Sequence, residues 1–426
     1  MKRFLLVVCM TVAVLVLFAC GSGQKEREKW KAPDGTKAAA KDEPQNASDG
    51  AASGKQPVIS DNEAFNKAEE IIKNMTLEEK VAQMFLVELS QLDPPKKASG
   101  RRYRLTKKMK EELQDCAVGG VYLTERNVRD QEQTKKLISD IQSLASGGAM
   151  YVAAEEECAG GHSLAGKVKA MRDPGNVPAV GQASEPDGQV YRNWLDAAGE
   201  LRRWGFNLNL APVADIGSET NPGYASRCFG TDADTVSDML TEAVNGIRDG
   251  GLAVTLKYFP GLGSVMGDYE EDILDNQESL MTLRNNNFSV YADGIEAGAD
   301  CVMMSNTAVS KITVNNKLPA FLSQEIVTDL LREEVGFEGV IMTPPLNSRA
   351  VTKSYTVEYV VVEAVKAGCD MIIMPEDLKR GYRALLDAVV SGKIDEKVIN
   401  TSVRRILQDK IRRQILVINE NPESLN

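Results

Sequence analysis

The chain has 426 residues, and its 61 acidic side chains outnumber the 50 Lys and Arg side chains, giving a formal net charge of −11 and a pI near 5.0. This balance argues against a nucleic-acid partner, which would need a basic surface to neutralise phosphates, and it favours an uncharged or cationic ligand. The seven cysteines show neither metal-ligand spacing nor a disulfide framework, so we predict no metal site, and no motif predicts a cofactor.

The first residues have the pattern of a lipoprotein signal peptide, predicted over residues 1–19. Lys2 and Arg3 precede an apolar run that is short for a membrane span, and a cysteine follows the small residue Ala19. Cys20 would then be the lipidated first residue, anchoring an extracytoplasmic protein to the cell membrane. Phe18 is bulkier than the usual residue at its position, so an uncleaved anchor is the alternative.

The next segment, residues 20–61, is rich in Gly, Ser, Ala, Lys and Asp and has no apolar periodicity, which predicts a disordered, flexible tether. Residues 62–415 are predicted to form one large domain, and residues 416–426 a short tail. The domain begins with a predicted helix over Asn62–Asn74. Thr76 and Glu79 then have the spacing of a capping box at the start of a second helix.

From there, short apolar runs alternate with stretches of helical period, among them Leu280–Glu296. Eight runs predict strands: Met84–Val87, Val118–Leu123, Met150–Ala154, Phe206–Leu210, Ala253–Lys257, Cys301–Met304, Gly339–Met342 and Met371–Met374. Buried parallel strands alternating with amphipathic helices predict an α/β fold, a (β/α)8 TIM barrel, and a last helix over 393–413 packs outside it. Chemistry in such barrels lies in the loops after the strand carboxyl ends.

Several segments resemble glycoside hydrolase family 3, in particular its β-N-acetylhexosaminidase branch, from Met75 to about Arg413. The matching segments occur in the family's order: Met75–Met84, Gly119–Val121, Asn207–Asp215, Arg227–Gly230, Lys257–Gly261 and Leu318–Ala320. The resemblance implies hydrolysis with retention, through an aspartate nucleophile and a covalent glycosyl-enzyme intermediate.

The catalytic positions of that family are degraded in this chain. The nucleophile of the family follows the seventh strand, where this chain has Pro344, whose ring has no oxygen. The acid/base histidine is missing from the segment after Lys257–Gly261, where Asp268 and Glu270 are the candidate displaced acids. Tyr258 and Asn306 stand where the resemblance implies two further histidines. The only histidine, His162, lies in a Gly-rich loop, and we predict no catalytic role for it.

The sugar-contacting positions survive better. Arg227 and Lys257 match residues that the resemblance implies bind substrate, and Glu155 falls near an aspartate that grips the outer hydroxyls. Asp215 follows the fourth strand and is predicted to join them at the barrel rim. A rim salt bridge without any ligand is an equally weighted interpretation of these charges.

Three functions stay open at this point. The first is a surface lipoprotein that binds or scaffolds amino-sugar glycan, such as peptidoglycan fragments, without hydrolysing it. The second is an active O-glycosyl hydrolase in which Glu270 is the acid and Asp215 or Glu155 is the base or nucleophile. The third is a structural or protein-interaction lipoprotein with a closed barrel mouth.

Overall fold

The structure is a computed structural model that describes residues 59–96, 100–145, 148–159, 162–172, 188–262, 265–314 and 317–417. Eight strands alternate with helices along the chain. The strands are β1 Phe85–Glu88, β2 Gly120–Tyr122, β3 Tyr151–Ala154, β4 Leu208–Asn209, β5 Ala253–Phe259, β6 Cys301–Met304, β7 Val340–Met342 and β8 Ile372–Ile373. Each predicted strand is therefore present, shorter by one to three residues in most cases.

The strands form a closed parallel barrel. Their order is β7-β6-β5-β4-β3-β2-β1-β8, and a parallel bridge between Met342 and Met371 joins the two ends. All but two strand residues, Glu88 and Tyr122, are buried, as expected for a sheet that is packed inside by its own side chains and outside by helices. The predicted (β/α)8 barrel is confirmed, whereas the predicted signal peptide and tether lie almost entirely outside the described residues.

Fifteen α-helices accompany the strands in the described ranges. They are α1 Asp61–Asn74, α2 Leu77–Gln83, α3 Leu89–Leu92, α4 Lys107–Asp115, α5 Gln131–Gln142, α6 Leu164–Lys167, α7 Gln189–Trp204, α8 Pro222–Ala225, α9 Ala233–Asp249, α10 Leu280–Asn285, α11 Asn287–Glu296, α12 Arg349–Thr352, α13 Val357–Ala367, α14 Leu378–Val390 and α15 Glu396–Arg412. A 3₁₀ turn, Ala320–Leu322, and a π-helical segment, Glu325–Glu334, precede β7.

Local sequence explains most helix starts. Thr76 forms the predicted capping box: its hydroxyl accepts from the Glu79 amide, and the Glu79 carboxylate accepts from the Thr76 amide. The helical stretch predicted over 280–296 is instead divided at Asn286, whose backbone (φ −116°, ψ −82°) leaves the helical region. Helices α4 and α7 are additions that the apolar periodicity does not predict.

The last helix lies across the amino-terminal ends of the strands rather than simply outside the barrel. Lys410 of α15 donates to the carbonyl of Gly119, just before β2, and Arg412 donates to the carboxylate of Asp300, just before β6. Helix α15 therefore covers the end of the barrel opposite the strand carboxyl ends, and the latter remain available for a site.

The membrane prediction rests on residues outside this description. Cys20, the predicted lipidation site, belongs to residues 1–58, which are not described. In the described ranges, no helix combines the length and the apolar character that crossing a bilayer requires.

Candidate functional site

A cavity of about 380 Å³ opens at the carboxyl ends of the strands. Strand ends supply Glu88, Tyr122 and Lys257 to its wall, and the loops that follow the strands supply Glu155 and Arg227. Three of the four residues predicted to bind substrate, Glu155, Arg227 and Lys257, are thus brought together at one mouth.

A bulge in β5 presents two consecutive residues to this cavity. Lys257 pairs with Met303 of β6 and Phe259 pairs with Met304, so Tyr258 is an extra residue between two register positions. Neighbouring residues of a regular strand point to opposite faces, but a bulge re-aims one of them. Lys257 and Tyr258 both line the cavity as a result.

The wall is built on a buried cluster of charges. Arg227 binds Glu157 through two parallel hydrogen bonds, Nε to Oε2 at 2.8 Å and Nη2 to Oε1 at 2.6 Å. The Lys257 ammonium lies 2.7 Å from Glu155 Oε1 and also forms an ion pair with Glu157. The side chains of Arg227, Lys257 and Glu157 are no more than 4% exposed, so these contacts are shielded from solvent.

Mutual attraction keeps this cluster ionised despite its burial. Burial by itself raises the pKa of the Glu155 and Glu157 carboxyls, but Lys257 and Arg227 more than offset it, and both pKa values fall below the usual range. Burial likewise favours a neutral Lys257, yet Glu155 and Glu157 raise its pKa above the usual value. Four charges therefore persist at neutral pH as two balanced pairs.

The protein itself already uses most donors of the two cations. Besides the two bonds to Glu157, Arg227 donates from Nη2 to the Tyr258 hydroxyl at 3.0 Å and from Nη1 to the Tyr269 hydroxyl. Four of its five N–H groups are thereby directed at protein acceptors, and Lys257 directs two of its three at carboxylates. Each cation has at most one N–H left for a ligand hydroxyl.

The position predicted for the nucleophile faces this cavity. Pro344 and Pro345 follow β7 after Thr343 and line the cavity, as Met303 and Met374 do. These four side chains offer rings and thioethers, and Pro344 has no side-chain oxygen.

The loop after β5 is docked against the mouth. Asn306 Nδ2 donates to the carbonyl of Tyr269 at 2.6 Å, and the amide of Ala350 donates to the carbonyl of Glu270 at 2.8 Å. Glu270 is exposed and lines the cavity. Asp268, the other candidate acid, is exposed and accepts from the Glu270 amide at 2.9 Å, but it is not part of the lining.

Asp215 departs from its predicted role. Its side chain is fully buried outside the cavity lining, and it accepts from the Tyr224 hydroxyl, the Leu262 amide and Asn287 Nδ2, the first and last at 2.9 Å. At Gly261, with φ +123°, a Cβ would lie 2.8 Å from Asp215 Oδ1. The carboxylate supports the start of the loop after β5 and lies outside the cavity lining.

His162 lies beside the charged cluster, with Nδ1 3.8 Å from Glu155 Oε2. Ligand atoms of Glu155, Glu157 and His162 lie within 4.8 Å of one another, a spacing compatible with a metal ion. Both carboxylates, however, already bind Lys257 or Arg227, whose positive charges oppose a divalent cation at the same place. We therefore assign these side chains to the ion cluster.

Two residues of the site were missed from the sequence: Glu88, which lines the cavity, and Glu157, which lies outside the lining and pairs with Arg227 and Lys257. Glu157 follows Glu155 by two residues in the acidic run after β3. In an extended chain this spacing places both side chains on the same side, and this was the signal that could have indicated Glu157. Glu88 ends the apolar run of β1, and a single carboxyl at a strand end carries little signal until the register is known.

Comparison with known proteins agrees with this geometry. The family model described as the glycosyl hydrolase family 3 N terminal domain matches residues 76–408. The chain belongs to glycoside hydrolase family 3. Its relatives in the family include a protein named β-hexosaminidase from Stenotrophomonas maltophilia (strain K279a), 30% identical over 280 residues, which cover 63% of this chain and 80% of the relative.

Solved structures of family members have the same barrel. The glycoside hydrolase family 3 β-N-acetylglucosaminidase from Paenibacillus sp. str. FPU-7 superposes with a TM-score of 0.72 at 28% identity, covering 82% of this chain and 65% of that longer one. The β-N-acetylhexosaminidase from Beutenbergia cavernae DSM 12333 has a TM-score of 0.67 at 25% identity, covering 78% of this chain and 98% of its own. The predicted resemblance to this branch of the family is confirmed.

Proposed function

We propose that this family member binds an amino-sugar glycan at the barrel mouth without hydrolysing it, as an extracytoplasmic protein anchored to the membrane through lipid on Cys20. The observation that carries the proposal is Pro344, which lines the cavity where the family's nucleophile would stand. A retaining glycosidase needs a carboxylate there to form the glycosyl-enzyme intermediate, and proline cannot supply one.

The binding half of the proposal is supported by the retained wall. A cavity of about 380 Å³ is large enough for a sugar unit, and preorganised polar groups on a partly apolar wall are typical of ligand sites. The relatives are named β-hexosaminidase and β-N-acetylglucosaminidase, which suggests an amino sugar such as a peptidoglycan or chitin-type unit.

Hydrolysis through displaced carboxylates is the second candidate. It is favoured by Glu270 and Glu155 lining the same cavity. Its weakness is that Glu155 is engaged by Lys257 at 2.7 Å, and that Asp215, the other predicted partner, is buried elsewhere. Glu270 is also exposed, whereas the general acids of glycosidases lie in shielded sites.

The test compares turnover and binding in one preparation. The full-length chain, in a detergent without a sugar headgroup, is assayed on aryl β-N-acetylglucosaminide and aryl β-glucoside, and its affinity for N,N′-diacetylchitobiose is measured by calorimetry. We expect binding without turnover. Turnover by the unmodified protein that disappears in Glu270→Gln, but not in the rim control Glu376→Gln, would establish the second candidate instead.

A gain-of-function variant tests the assignment of the nucleophile position. Pro344→Asp combined with Glu270→His places a carboxylate and a titratable proton donor in the cavity wall. We expect this double variant to acquire measurable hydrolysis of the aryl β-N-acetylglucosaminide. A chain that binds no sugar in any of these assays would leave the third function, a structural or protein-interaction lipoprotein.

A further inference from the structure

The cations of the cavity wall are all paired with carboxylates. Arg227 binds Glu157, Lys257 binds Glu155, and the Arg349 guanidinium lies 3.2 Å from the Glu271 carboxylate. Among the described residues that line the cavity, no cation is left to neutralise a carboxylate or phosphate on a ligand. An anionic sugar would have to break one of these pairs.

Two carboxyls of the cavity wall, unlike its cations, have no ion-pair partner among the described Lys and Arg residues. Glu88 and Glu270 both line the cavity, and neither forms an ion pair with a described Lys or Arg. Glu270 is exposed on the outer loop, whereas Glu88 is half-buried at the end of β1. Burial raises the pKa of Glu88, with Arg126 and the Ser90 side chain offsetting only part of the effect, so this carboxyl is short of positive charge around it.

Tyr122 provides a hydroxyl beside Glu88. The two residues are register partners on β1 and β2, so their Cα atoms are about 4.8 Å apart across the parallel ladder. The Tyr122 hydroxyl has no hydrogen-bond partner among the described residues. Burial, and then the charges of Glu155 and Glu88, raise its pKa, so it stays a protonated hydroxyl between two carboxylates. This wall offers acceptors that the protein leaves unused.

We infer that the cavity selects a sugar that carries a free, protonated amine, the glucosamine unit of a de-N-acetylated glycan, with its ammonium against Glu88 and the Tyr122 hydroxyl. An ammonium brings three donors and a positive charge to this wall, whereas an acetamido group brings one donor and no charge. A sugar with a carboxylate, such as muramic acid, faces only repulsion there. The inference rests on the proposed function and names its ligand class.

The test measures four disaccharides on the full-length chain by calorimetry at pH 6.5, in a detergent without a sugar headgroup. They are the β-1,4 glucosamine dimer, N,N′-diacetylchitobiose, cellobiose and a disaccharide containing N-acetylmuramic acid. A charge-assisted hydrogen bond to a partly buried carboxylate predicts that the glucosamine dimer binds about tenfold or more tightly than cellobiose. The muramic-acid disaccharide should bind most weakly.

Matched variants show whether the preference for the glucosamine dimer comes from Glu88 in the cavity wall or from the protein's net charge of −11. Glu88→Gln removes the charge and keeps the shape, so the preference for the glucosamine dimer over cellobiose should shrink to about twofold or less. Glu376→Gln removes an exposed carboxyl that lies near the same rim but outside this cavity, and it should leave the preference intact. Far-UV circular dichroism confirms that both variants are folded.

The outcomes distinguish this inference from the function on which it rests. If the neutral or N-acetylated disaccharides bind and the glucosamine dimer binds no more tightly, the proposed function stands and the inference is overturned. A preference that survives Glu88→Gln, or that Glu376→Gln removes equally, overturns it as well, since the selectivity then lies elsewhere. If none of the four binds, both the proposed function and the inference fail.

Discussion

Glu157 is the carboxylate that balances both buried cations of the site, and replacing it should destabilise the whole barrel. Glu157→Gln preserves the shape of the side chain but leaves Arg227 and Lys257, whose side chains are at most 4% exposed, facing only Glu155. Breaking a buried ion pair by removing one partner costs about 3–5 kcal/mol, because the remaining charge is neither solvated nor compensated.

This cost converts into a shift of the melting temperature. Unfolding entropy near 60 °C is about 2.1 cal/mol/K per residue, so roughly 350 folded residues give about 0.7 kcal/mol/K. A loss of 3–5 kcal/mol therefore lowers Tm by about 4–7 °C. The shift can be followed by intrinsic fluorescence, because Trp194 and Trp204 are buried in α7.

An exposed pair with the same geometry provides the control. Arg380 binds Glu358 through two parallel hydrogen bonds, at 2.7 and 3.0 Å, but these side chains are 55% and 44% exposed. Glu358→Gln should lower Tm much less than Glu157→Gln, because solvent screens the pair and rehydrates the arginine. Equal shifts of Tm in the two variants would refute the reasoning that burial makes the Glu157 cluster essential.

Three further changes probe the rest of the fold. Burial lowers the pKa of Lys410 from 10.5 to about 7, so between these values only the unfolded chain binds the proton and stability rises with pH. The free energies of unfolding from urea titrations at pH 7 and pH 9 should differ by about 2 kcal/mol, and Lys410→Met should flatten this difference. Thr76→Ala removes the capping box and should cost about 1 kcal/mol in the same titration, while Thr76→Ser should retain most of it. Lys353→Ala removes contacts of 2.7 and 3.1 Å to the loop over 268–272, whose amides should then exchange hydrogen faster, an effect that Lys366→Ala should not reproduce.

The barrel could be predicted because each of its strands is marked by a sequence pattern of a few neighbouring residues. Each strand is a short apolar run. Because both faces of the strand are buried, polar and apolar residues do not alternate along it as they would in a half-exposed strand. Helix α7 was missed because its buried face mixes Ala and Trp between charged residues instead of repeating Leu or Ile. The division at Asn286 was missed because asparagine within an otherwise helical pattern does not specify a break.

The site was predictable only where a family motif marked the residue. Arg227, Lys257 and Glu155 lie at the cavity as predicted, because each lies near the carboxyl end of a strand or in the loop that follows one. Asp215 also follows a strand, but its carboxylate accepts hydrogen bonds from Tyr224 and Asn287. This orientation depends on how the loops pack against one another, which the sequence around Asp215 does not specify. Glu157 was missed for the same reason, since its partners are 70 and 100 residues away along the chain.

The residues that replace the family's histidines are consistent with one another. Tyr258 takes the place of a motif histidine and its hydroxyl accepts from Arg227, while Tyr269 of the following loop accepts from the same guanidinium. Asn306, at the place of another histidine, donates to the carbonyl of Tyr269 and holds that loop in position. Under the proposed function, Pro344→Asp alone would supply a carboxylate but not the histidine acid/base that the family resemblance implies. The gain-of-function variant therefore changes two residues, because the proposed function assigns the nucleophile position and the acid/base position to two different segments, Pro344 and the loop after β5.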